Sequence, residues 1–167
     1  MKIQASSISD SLPTRVLIAT IVVAFIINLI PLPLTFQSFR PDILLLVIIY
    51  WGINYSQKVS LFAVFFLGVL GDVANGGVLG QTSLLYICLI VIAISIHRRI
   101  RLFKPIMQIL YVFPALLFTK VFILGLLLVI GEVFPGWVYF FPVITTVIFW
   151  PLVHFIVSTA FSSYGHV

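Results

Sequence analysis

The chain has 167 residues and a formal charge of +5, and its composition is 62% hydrophobic, 15% aromatic and only 8% charged. Ordinary soluble domains carry roughly 25% charged and ~45–50% apolar residues, so a soluble domain, a disordered chain and a disulfide framework are all excluded. At ~20 residues per membrane helix the length supplies about six spans with almost nothing left over.

The first 14 residues are polar, with Lys2, Asp10 and several serines, and read as a loose cytoplasmic tail. Arg15 precedes the apolar run Val16 to Ile30. No small-residue cleavage site follows, so this run reads as an uncleaved first span. Pro31 and Pro33 remove backbone donors and should kink or end that helix. Apolar runs between polar breaks predict five further spans, at about 42–54, 59–74, 82–96, 106–130 and 138–161. The predicted organisation is a tail at 1–14, one six-helix transmembrane bundle at 15–161 and a second tail at 162–167.

The second run is short for a ~30 Å hydrocarbon core, and merging it with the third would give one long helix. Charge parity decides between the two layouts. With six spans, Lys2, Arg15, Lys58 and the segment His97-Arg98-Arg99-Ile100-Arg101-Leu102-Phe103-Lys104 fall on one side. Short cytoplasmic loops collect Lys and Arg, so both termini are expected in the cytoplasm. The basic charge therefore reads as topology rather than nucleic-acid binding. Tyr50, Trp51 and Tyr55 are expected at the cytoplasmic interface, and Trp137, Tyr139, Phe140 and Phe141 at the outer one.

Ionisable groups inside a bilayer are costly unless paired or hydrated, so they come first as candidates for function. Asp72 closes the third span, where a helix C-terminus disfavours an anion. Lys120 lies in the fifth span, ten positions before Ile130, or ~15 Å along the helix. An Asp72–Lys120 pair is the predicted compensation. Gly68, Gly71, Gly76, Gly77 and Gly80 fall within 13 residues, a pattern that permits close helix packing and a tight turn. Arg40-Pro41-Asp42 reads as a helix start, with the acidic group at the positive end of the dipole.

Arg98, Arg99, Arg101 and Lys104 form a basic loop able to meet anionic head groups, at ~1 kcal/mol for each basic residue, or a cytoplasmic protein. Asn28 is expected to hydrogen-bond across a helix interface, and His154 to be a hydrogen-bonded core histidine. Cys88 is the only cysteine and lies in an apolar run, which excludes an internal disulfide. Catalysis needs a nucleophile with a positioned base, a metal cluster or convergent acids, and four scattered acidic residues supply none of these. The chain therefore reads as a non-enzyme with no cofactor.

The segment Phe39-Arg40-Pro41-Asp42 leads into Leu44-Leu45-Leu46-Val47-Ile48-Ile49-Tyr50-Trp51. Together with Phe66-Leu67-Gly68-Val69-Leu70-Gly71-Asp72, the turn Gly76-Gly77-Val78-Leu79-Gly80 and the basic segment ending Leu102-Phe103, it resembles the rod shape-determining MreD family. Lys120 falls outside that pattern. The resemblance implies a non-enzymatic inner-membrane subunit of the bacterial cell-elongation machinery, associated with MreC, MreB, RodZ, RodA and a class B penicillin-binding protein. It further implies a six-helix fold similar to the S-component of energy-coupling-factor transporters. Partner contact is then expected around Arg40, Asp42, Gly68, Gly71, Asp72 and Gly80. A different class remains open: a transporter subunit that takes a vitamin-like ligand from the outer side.

Overall fold

A computed structural model describes residues 3–30, 33, 39–76 and 78–164, with side chains described between 14 and 162. Gly77, Pro31 and the segment 34–38 lie outside the described residues, as does the predicted break at Pro31; so do the ends 1–2 and 165–167. Among the described residues six α-helices follow one another: α1 (Ile3–Leu29), α2 (Ile43–Asn54), α3 (Leu61–Asn75), α4 (Gln81–Ile100), α5 (Pro105–Ile130) and α6 (Phe141–Tyr164). Short 3-10 turns at Ser56–Lys58 and Trp137–Phe140 precede α3 and α6.

Each boundary has a local cause. Asp42 caps α2 by accepting from the Leu45 N–H at 3.0 Å, and Ser60 caps α3 by accepting from Ala63. Gly76, at φ +64°, ends α3 in the left-handed region that favours glycine. Pro105 opens α5 at the first helical turn, where its missing N–H costs nothing. The break between α2 and α3 is real, so the merged long helix does not form. The expected loose tail is replaced by helix, because α1 is already helical from Ile3.

Among the described residues three helical segments can cross a membrane by length and composition: Gln81–Ile100, Pro105–Ile130 and Trp137–Ser162. The apolar stretches Thr14–Leu29, Ile43–Asn54 and Leu61–Asn75 are shorter. At 1.5 Å per residue α2 reaches only about 18 Å and α3 about 22 Å, against a hydrocarbon core of ~30 Å. Burial explains how α2 can be so short. Every residue from Leu44 to Ile53 is buried, packed by α1, α4 and α6. A helix apolar on all sides belongs in a protein interior, and one surrounded by protein need not match lipid thickness.

The same burial corrects the aromatic assignment on this side. Tyr50 is 5% and Trp51 0% exposed, so these rings belong to the core rather than to an interfacial belt. The Trp51 indole N–H donates to Thr20 Oγ1 at 3.0 Å, which supplies the partner a buried Trp requires. His154 stacks edge-on against Tyr50, with centroids 5.1 Å apart. It makes no hydrogen bond among the described residues, contrary to expectation.

Candidate functional site

All six helices contribute to one polar cavity of ≈ 260 Å³. Its walls come from the C-terminal ends of α1 and α3, the N-terminal ends of α2, α4 and α6, and the middle of α5. The cavity therefore sits at the end of the bundle opposite the basic loop between α4 and α5.

Asp42 organises this end. Its carboxylate accepts from the Asn28 side-chain N–H at 2.7 Å, from the Leu45 N–H, and from the Tyr86 hydroxyl at 2.9 and 2.8 Å to its two oxygens. Asn28 also accepts from the Ile43 N–H at 3.2 Å, and the Asp42 N–H donates to Thr146 Oγ1 at 3.0 Å. One residue thus ties α1, α4 and α6 to the start of α2. The expected helix start is present, and Asn28 crosses a helix interface as predicted. Arg40 donates to the carbonyls of Ile27 and Asn28; a cation at the end of α1 meets carbonyls that helical bonding leaves free.

Asp72 sits just behind this cavity, not in its lining, and takes a different role. It is 3% exposed, and its carboxylate accepts from the Gly80 N–H at 2.8 Å and the Thr82 N–H at 3.0 Å. These donors open α4, so an anion that closes α3 sits at the positive end of the next helix. The cost expected at the end of α3 is met there, not by Lys120. The predicted Asp72–Lys120 pair is not formed: the Lys120 ammonium lies 4.6 Å over the ring centroid of Tyr139 and lines the cavity instead.

The glycine pattern acts beside Asp72. A Cβ on Gly68 would come 2.3 Å from Ser83 Cα, so only glycine lets α3 and α4 approach this closely. Gly80 takes φ +93° at the start of α4. Gly68 and Asp72 are sealed within the chain, whereas Gly71 and Gly80 are half-buried; Gly71 lines the cavity beside Arg40 and Asp42.

At the other end, Arg98, Arg99, Arg101 and Lys104 are all exposed. His97, Arg98 and Arg99 form the last turn of α4, where cations suit the dipole. Gln108 is 2% exposed and holds this bend from inside, donating to the carbonyls of Ile100 at 3.3 Å and Phe103 at 3.1 Å. Sequence reading passed over Gln108, Tyr86, Thr82 and Thr146. Isolated polar side chains in long apolar runs were the available signal, and at Tyr86 four residues after Thr82 they share a helix face.

A second concavity of ≈ 420 Å³ is almost wholly apolar and runs between α1, α2 and α6. Ala19, Val23, Ala24, Val153, Val157 and Ala160 lie along it, with Arg15 at one end. Among the described residues no group of three or more His, Cys, Asp or Glu comes together.

Comparison with known proteins gives one consistent result. The family profile described as rod shape-determining protein MreD matches residues 10–159. A relative from Haemophilus influenzae, described as rod shape-determining protein MreD, is 40% identical over 63 residues. That alignment covers 38% of this chain and 39% of the relative, so it spans well under half of either protein. No solved structure matches the chain. A profile match over most of an all-helical, strongly apolar chain establishes the family: this membrane protein belongs to the rod shape-determining MreD family.

Proposed function

We propose that this chain is a six-span subunit of the bacterial inner membrane, with both termini in the cytoplasm, that binds MreC and helps to organise peptidoglycan synthesis. Family membership supports a role in rod-shape determination, and the shape of the bundle supports the rest. The ends of successive helices alternate around the polar cavity, as they do when a chain passes back and forth. The short α2 then crosses within protein rather than against lipid, while α3 packs on α4 and leaves Phe62, Leu70 and Val73 exposed, in a fold similar to the S-component of energy-coupling-factor transporters. MreB, RodZ, RodA and a class B penicillin-binding protein are the further partners of this reading, with the basic loop directed to the cytoplasmic ones.

The observation that carries MreC binding is the apolar groove between α1 and α6. Lipid tails are as apolar as leucine, so helices associate in membranes by close van der Waals packing at small residues. Ala19, Ala24 and Ala160 provide such a floor, and the proposed occupant is the single span of MreC. Arg40, Gly71 and Gly80 form a second contact region near the outer surface, with Gly68 and Asp72 behind them fixing the α3–α4 pair.

Site-specific photo-crosslinking in living cells tests this reading. Probes at Ala19 and Ala160 should capture MreC, and a probe at Phe118, exposed on α5, should not. Capture from Phe118 with none from the groove would overturn the docking site. Ala19→Trp should block co-purification with MreC and round the cells.

The alternative of a vitamin-like ligand meets an obstacle in scale. Pockets for drug-sized ligands occupy about 300–1,000 Å³, and the polar cavity offers ≈ 260 Å³.

A further inference from the structure

A cavity too small for a whole vitamin still has a definite chemistry. Its charged lining is Arg40, Lys120 and Asp42, two cations against one anion. The commitments of the three differ. Arg40 is engaged by the carbonyls at the end of α1, and the Asp42 carboxylate by Asn28, Leu45 and Tyr86. The Lys120 ammonium makes no ion pair and no hydrogen bond among the described residues; it lies over the face of Tyr139 and feels the Asp42 charge from across the cavity. Nor does the side-chain hydroxyl of Thr82, on the same wall, make a hydrogen bond among the described residues.

We infer that this cavity binds a small oxyanion of the phosphate class, with Lys120 as its counter-charge and Thr82 as a neutral donor. A half-buried cation within a membrane protein is expensive unless paired or hydrated, and an ammonium with three donors held over a ring face has unused capacity for charge-assisted hydrogen bonds. Asp42 shares the wall and its charge acts on Lys120. Its carboxylate is held in place by Asn28, Leu45 and Tyr86 and forms no ion pair with the ammonium among the described residues, so it is the rigid frame of the site. The volume suits a phosphate group and not a large organic body. Such a group can come from a lipid head group entering sideways from the bilayer or from free phosphate on the open side. The site is independent of the α1–α6 groove, so it stands or falls apart from MreC binding.

The test uses the full chain in phosphatidylcholine nanodiscs, with thermal unfolding followed by tryptophan fluorescence. One arm titrates inorganic phosphate; the other replaces part of the lipid with phosphatidylglycerol. At least one arm should raise the midpoint, since a ligand that binds only the folded state stabilises it. A response to inorganic phosphate identifies a free anion, and a response to phosphatidylglycerol alone identifies a head group. Lys120→Gln should weaken apparent affinity on the order of 10–100-fold, as expected for loss of a charged hydrogen bond, while Lys104→Gln in the basic loop should leave the response to inorganic phosphate unchanged. Should Lys120→Gln not fold, Thr82→Val removes only a side-chain hydroxyl and should weaken affinity about 3–10-fold. A flat response in both arms, or a response that both variants retain in full, overturns the inference.

Discussion

At the scale of single residues, the two buried-end carboxylates do the organising work, each through donors rather than through a cation. Asp72 satisfies two N–H groups that begin α4. Asp72→Ala leaves both without a partner, and an unsatisfied buried donor costs about 1–3 kcal/mol; the expected outcome is a lower unfolding midpoint in detergent, with Asp72→Asn between the two. Exchanging the charges at Asp72 and Lys120, which a direct ion pair would tolerate, should instead lower the midpoint by the sum of two single losses, because the two sites do not touch. Rescue by the exchange would contradict the geometry around Asp72. Asn28 was legible in the sequence because a lone amide among aliphatic residues must find a partner. The partner itself was not, since Asp42 is 14 residues distant and reaches it only through the packing of α2 on α1.

At the scale of elements, glycine positions separate packing from tolerance. Gly68 meets the backbone of Ser83, and backbone cannot yield as a flexible side-chain end can. Gly68→Ala should therefore destabilise by about 1–3 kcal/mol through overpacking and push α3 away from α4. Gly125, in α5, has nothing within 4 Å of a built Cβ. Gly125→Ala should stabilise by about 0.5–1 kcal/mol, the usual difference between the two residues inside a helix. Paired unfolding curves check both, and equal effects of the same sign would contradict the assigned packing. The helix count and the α2–α3 break followed from apolar runs and charge parity. The length of α2 within the bundle was unexplained by those runs, because a short apolar stretch looks the same whether lipid or protein surrounds it.

At the scale of the whole molecule, the proposed topology places the basic loop and the segment 131–136 on opposite faces of the membrane. In a Cys88→Ala background, Val133→Cys should react with a membrane-impermeant maleimide in spheroplasts, and Arg99→Cys should react only after permeabilisation. The reverse pattern would invert the bundle and move the polar cavity to the cytoplasmic face. Both positions are exposed, so failure to label would not arise from burial of the thiol.

The amino-acid sequence by itself determined the solvent and the helix count, because hydropathy is summed over many residues and survives local error. It also carried the family, through short motifs around Arg40, Asp42 and the glycine turn. Only the tertiary structure decided that Asp72 serves α4 instead of Lys120, that Trp51 is core, and that Asn28, Asp42, Tyr86 and Thr146 converge. Those are pairings between distant positions, fixed by which helix faces meet, and one-dimensional spacing holds no information on the angle at which two helices pack.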